Sequence, residues 1–121
     1  MRADKKKPFT DKEYQQLISE RLCAHISMLE MVQQNLRDAG LKKSDRLILS
    51  ASDVKGNLEN LNKQINKKHS SKDSKLISAL NDAKKRQKQF LVSTSMYKKI
   101  TSRKVLKSFN QYLDSLSKLK R

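Results

Sequence analysis

Two histidines, one cysteine and twelve acids are all that this 121-residue chain offers for catalysis or metal binding, and their spacing assembles neither. Cys23 and His25 stand two positions apart, which on a helix sets them about 200° apart around the axis. They cannot share a metal, and no third ligand joins them. Glu20 and His25 are out of phase for a proton relay. His69 lies on a different element. With two glycines in the chain, no glycine-rich loop is present to cradle a nucleotide. The residues predict a protein that is not an enzyme and carries no metal or cofactor.

His25 falls within an apolar stripe. There it is expected as a neutral core histidine, hydrogen-bonded to a neighbour or a backbone carbonyl. The alternative is a pH-sensitive packing point, where burial lowers the pKa and acid loosens the bundle. Arg21, one turn earlier, has two outlets: solvent along its stem, or a carboxylate. Cys23 points away from the stripe as an exposed thiol.

The cations are the chemistry in which this chain is rich. Its 28 lysines and arginines face 12 acids, a net charge of +16. Such a density repels itself and is relieved by a polyanion, nucleic acid being the commonest. The charge is also segregated: residues 84–121 hold 12 cations and 1 acid, while residues 1–83 hold 16 and 11. That asymmetry marks a binding face rather than general solubility.

Within AKKRQKQF, residues 83–90, Lys85 is expected to point straight out when Ala83, Gln87 and Phe90 face inward. Arg86 and Lys88 flank it on opposite sides, and Lys84 lies nearer the core edge. A solvated helix face usually mixes signs, and this one does not. Arg103, Lys104, Lys107 and Lys118 repeat the pattern further on, with Asn110 and Gln111 between them and Asp114 as the one acid. Tyr97, Lys98 and Lys99 place an aromatic beside cations. Tyr97 is expected to pack into the bundle, its alternative being to stack on an unpaired base. Lysines outnumber arginines by 21 to 7, which favours phosphate contact over base reading.

The elements that must carry these residues are helices. With two Gly and one Pro, a β-rich fold would lack turn residues. Residues 1–8 read as a disordered basic arm, and 9–121 as one all-α domain, an antiparallel bundle of four main helices. The first helix covers about 11–39. Thr10 and Glu13 form a capping box, Phe9 and Tyr14 a hydrophobic staple, and Gly40 the stop. Its seam is Ile18, Leu22, His25, Leu29, Val32, Leu36 and Ala39, widened by Tyr14, Leu17, Ala24, Met28 and Met31.

Ser44 is the expected cap of a second helix at about 45–68, with Leu47, Ala51, Val54, Leu58, Leu61 and Ile65 inside. Gly56 lies opposite that seam. Residues 69–74, HSSKDS, read as a loop. The third helix, about 73–92, starts near Lys72 or Asp73 and packs through Leu76, Leu80, Ala83, Gln87 and Phe90, with Ile77 and Leu91 in support. Residues 93–95, STS, read as a break, and 96–100 as a short helical linker. The last helix, about 102–119, buries Val105, Phe109, Tyr112, Leu116 and Leu119. If the third helix continued instead, Val92, Met96 and Ile100 would form an exposed apolar stripe of the kind that calls for a partner.

One cysteine precludes an internal disulfide, which fits a reducing cytoplasm. No signal peptide or membrane span is visible. Helix-turn-helix, zinc-finger and RNA-recognition signatures are absent. The expectation is a cytoplasmic accessory subunit that holds DNA or RNA by its phosphate backbone with little sequence specificity, within a larger nucleoprotein complex. The alternative is a helical adaptor for an acidic protein, with no nucleic-acid role. Protein partners or self-association are expected in either case.

Overall fold

The computed structural model describes residues 11–67 and 74–119. The basic arm at 1–8, the cap at Thr10 and the connection at 69–73 lie outside them. Four helices form an all-α bundle: α1 (Asp11–Asp38), α2 (Arg46–Lys67), α3 (Ser74–Tyr97) and α4 (Arg103–Ser117).

The bundle is two antiparallel hairpins. In the first, Gln15 of α1 donates to the Ile65 carbonyl of α2 (2.8 Å), Ser19 to Asn62 (2.7 Å), and Gln33 to the Ile48 carbonyl (3.0 Å). In the second, the Ser93 and Ser108 hydroxyls meet at 2.8 Å, and the Phe90 and Phe109 rings lie 5.2 Å apart. Between the hairpins, α2 packs on α4. On the opposite side α1 runs alongside α3 in the same direction. Leu17 and Ile18 share a small cavity with Ile77 and Leu80, and one turn further Arg21, Ala24 and His25 share another with Lys84 and Gln87. The turns within both hairpins therefore lie at one end of the bundle.

The seams expected from helical spacing are largely the core. Ile18, Leu22, Leu29, Leu36, Ala51, Leu58, Ile65, Leu80, Ala83, Val105 and Leu116 are all buried in one cluster. Three aromatics from the second hairpin centre it: Phe90 lies 6.3 Å from Tyr112, and Phe109 6.4 Å. Gly40 ends α1 as expected, at φ +107°. Its N–H reaches the Arg37 carbonyl, and the Leu41 N–H reaches back to Leu36, both at 3.0 Å. This is the paired-bond helix stop that a left-handed residue permits.

Several local expectations need correction. Asp45, not Ser44, caps α2: its Oδ1 accepts the Leu47 N–H at 2.9 Å. At the start of α2, Ile48 is buried and Leu47, expected inside, is half-buried. Ala39, beyond the last turn of α1, is exposed, as are Ala24 and Met31. The stripe on α1 is consequently narrower than the sequence suggests.

The largest departure is at 93–95. Residues STS do not break α3, which continues to Tyr97. Their hydroxyls have other occupations than capping: Thr94 Oγ1 donates to the Leu91 carbonyl at 2.7 Å, and Ser93 meets Ser108. A hydroxyl that returns to its own helix's carbonyl is compatible with helix. The break comes at 98–102, where Lys98 takes φ +55°. The expected linker at 96–100 is therefore the last turn of α3 plus a turn. Leu91, expected inside, is exposed.

Candidate nucleic-acid interface

The α3–α4 turn gathers four of the ten candidate cations. The end of α3 delivers Tyr97, the turn Lys98 and Lys99, and the start of α4 Arg103 and Lys104. Tyr97 does not pack into the bundle as expected. It is 41 % exposed, and the Lys104 ammonium sits 5.8 Å from the centroid of its ring. The cause is the extension of α3, which carries Tyr97 past the end of the core. The arrangement is an accessible ring with a cation already on one face.

From there the outer face of α4 continues the surface. Arg103, Lys107, Asn110, Gln111 and Asp114 line one open depression of about 830 Å³, together with Thr101 and Leu106. Arg103 to Lys118 spans about 22 Å at the helical rise. Lys118 closes the far end and reaches Asp114 at 3.9 Å, an exposed pair of little energetic weight. A second depression of about 390 Å³ shares Leu106 and Asn110 with the first. It extends to Asp45, Arg46 and Ser50 at the start of α2. Sequence reading missed Arg46 as a neighbour of this face. Its proximity depends on both hairpin turns sharing one end, which no local pattern encodes.

The α3 run is distributed differently. Lys85 and Lys88 are exposed on the outside of α3. Arg86 is half-buried and donates to Gln89 at 3.2 Å. Lys84 turns toward α1, where it lines a cavity of about 180 Å³ with Arg21, Ala24, His25 and Gln87. Lys84 is thus separated from the α4 face by the thickness of the hairpin. Among the described residues, none of Lys84, Lys85, Arg86, Lys88, Lys98, Lys99, Arg103, Lys104 and Lys107 is ion-paired to a carboxylate.

His25 has the environment expected of a core histidine. It is 3 % exposed, and its Nδ1 shares a 2.6 Å hydrogen bond with the Tyr112 hydroxyl. Burial, and secondarily the charge of Arg21, lowers its pKa to about 4, so the ring is neutral near pH 7. Burial raises the Tyr112 pKa, which keeps its hydroxyl protonated. The pair is a buried polar clasp between the hairpins. Cys23 is exposed, as its phase requires.

Among the described residues no group of three or more His, Cys, Asp or Glu side chains could hold a metal ion. Nor is any helix there long and apolar enough to cross a membrane. No protein family, curated protein or solved structure matches this chain.

Proposed function

We propose that the α3–α4 hairpin holds nucleic acid by its phosphate backbone, and that the chain serves as a cytoplasmic accessory subunit of a larger nucleoprotein assembly. The observation that carries this reading is a one-sign surface. From Ala83 to Leu113 the sequence contains no acid, and the cations of that stretch are not ion-paired to any carboxylate among the described residues. Unneutralised cations of one sign, Lys98 and Lys99 on the turn and Arg103, Lys104 and Lys107 at the start of α4, suit contact with neighbouring phosphates. Asn110 and Gln111 add neutral donors further along α4. Sequence selectivity is low, because lysine rather than arginine dominates.

Fluorescence anisotropy with labelled single- and double-stranded DNA and RNA across a salt series tests this. With R103Q/K104Q/K107Q, the slope of log affinity against log salt should shrink by about 2.7 for duplex DNA and about 2 for single strands. The run K84Q/K85Q/R86Q/K88Q should shrink it less, since Lys84 faces away. Negligible binding of the parent near physiological salt, or a slope unchanged by the α4 substitutions, refutes the proposal.

A further inference from the structure

The last two turns of α3 carry apolar side chains that the bundle leaves uncovered. Val92 is 57 % exposed, Met96 68 % and Leu91 42 %. Lys85, Lys88, Val92 and Met96 follow one another at helical spacing along the outside of α3, a stripe cationic in its first half and apolar in its second. Met31 of α1 is 49 % exposed. The register that sets Leu17 by Ile77 and Ala24 by Lys84 brings it level with Leu91. Alongside this patch the bundle is least closed, as α1 and α3 approach each other less closely than the other neighbouring helices. This face is distinct from the outer face of α4.

We infer that this α1–α3 face docks an acidic amphipathic helix of a protein partner. The apolar side chains require an apolar stripe, and the charge around them selects its flanks. Lys84, Lys85 and Lys88 lie before the patch, Lys98 and Lys99 after it, and no acid occurs on α3 beyond Asp82. The acids of α1 do not offset them. Glu30 pairs with Lys55 at 3.2 Å, Asp38 accepts from Gln34, and Glu20 lies about three turns before Met31. A second copy of this chain would bring +16 against +16. The chain's own first ten residues carry four cations and one acid, a charge that repeats that of the face instead of complementing it. An acidic helix meets both requirements in the helix-in-groove mode.

The probe is a labelled synthetic peptide of about eighteen residues, with Leu at i, i+3, i+4 and i+7 repeats and Glu elsewhere. The full chain should bind it. V92S/M96S should weaken binding about tenfold while the circular dichroism melt and oligonucleotide binding stay as in the parent. K85Q/K88Q should weaken it as well, whereas R103Q/K104Q/K107Q should leave it intact while reducing oligonucleotide binding. That crossed pattern separates this face from the one proposed for nucleic acid, and either can fail alone. The inference is overturned if the parent does not bind the peptide, if V92S/M96S binds it unchanged, or if a Lys-for-Glu peptide binds as tightly. Two further results overturn it by naming another cover. One is a parent dimer that V92S/M96S makes monomeric. The other is sedimentation of the parent, but not of V92S/M96S, with phosphatidylcholine–phosphatidylserine vesicles.

Discussion

The two hairpins are built from similar helices and held together differently. The first is joined by polar contacts along its length: Gln15 to Ile65, Ser19 to Asn62, Lys55 to Glu30, and Gln33 to both the Ile48 carbonyl and Ser52. Its charges are mixed, and a glycine makes its turn. The second is joined by Phe90, Phe109 and Tyr112, with a polar bridge between Ser93 and Ser108. Its surface is predominantly cationic, with Asp82 and Asp114 as its acids, and a lysine holds the left-handed position of its turn. In the first hairpin polar side chains serve the fold. In the second they are left to solvent, and three rings carry the cohesion. A hairpin whose stability depends on its interior can devote its exterior to binding, which is how the difference bears on function.

The most severe test of this comparison removes a ring. Phe109→Ala should cost about 3–5 kcal/mol, measured by urea unfolding, because neighbours from α3 and α4 close on it and leave a cavity when it is gone. Breaking a clasp of the first hairpin with Ser19→Ala should cost about 1 kcal/mol, the net value of one hydrogen bond. Equal costs would remove the distinction.

Next in size is the contact that joins the hairpins. His25 is held neutral, with a pKa of about 4 against 6.5 for an unburied histidine. The unfolded chain therefore binds a proton between those values that the folded chain refuses. Stability from this group is full above pH 6.5 and is lost as pH falls toward 4, by at most about 3 kcal/mol. Arg21, Lys84 and Tyr112 surround the ring, and protonation would add a third positive charge to that corner. Urea midpoints measured from pH 7.5 to 4.5 should fall in the parent. The difference between parent and His25→Gln should narrow with acid, since glutamine does not titrate. A constant difference would mean that His25 is not neutral in the fold.

How far the sequence anticipates this molecule depends on the range of the interaction. Seams at helical spacing locate nearly all the core, and Gly40 locates the first turn, because each is a local requirement of the backbone. Positions where side chains choose between partners are less legible. Ser93 and Thr94 are cap-formers in isolation, but here they bond to Ser108 and to the Leu91 carbonyl, and α3 runs on. Tyr97 is misjudged for the same reason, since its burial depends on where that helix ends. Gln33 is buried against Ile48 and Ser52, and its type gives no hint of it. The candidate cations could be named from charge segregation alone. Their division into an α4 face, an α3 back and Lys84 beside α1 required the packing order of the helices.

The smallest expected effect sharpens the comparison most, because it sets the two turns side by side. Gly40 and Lys98 each end a helix with positive φ, at +107° and +55°. A Cβ built on Gly40 would meet nothing within 4 Å, so Gly40→Ala tests conformation alone and should cost about 1–2 kcal/mol. Lys98 already bears part of that penalty, which Lys98→Gly should return as about 1 kcal/mol of added stability, seen as a higher thermal midpoint. If Lys98 contacts phosphate, the same substitution should lower the salt slope of oligonucleotide binding by about 0.9. A variant at once more stable and weaker in binding would show that the second turn gives up stability to keep a cation at its tip. A variant that is more stable and binds with the parent's slope would place the phosphates along α4 alone. One that loses stability would mean that the Lys98 side chain makes contacts which outweigh its backbone conformation, and the contrast between the turns would fall.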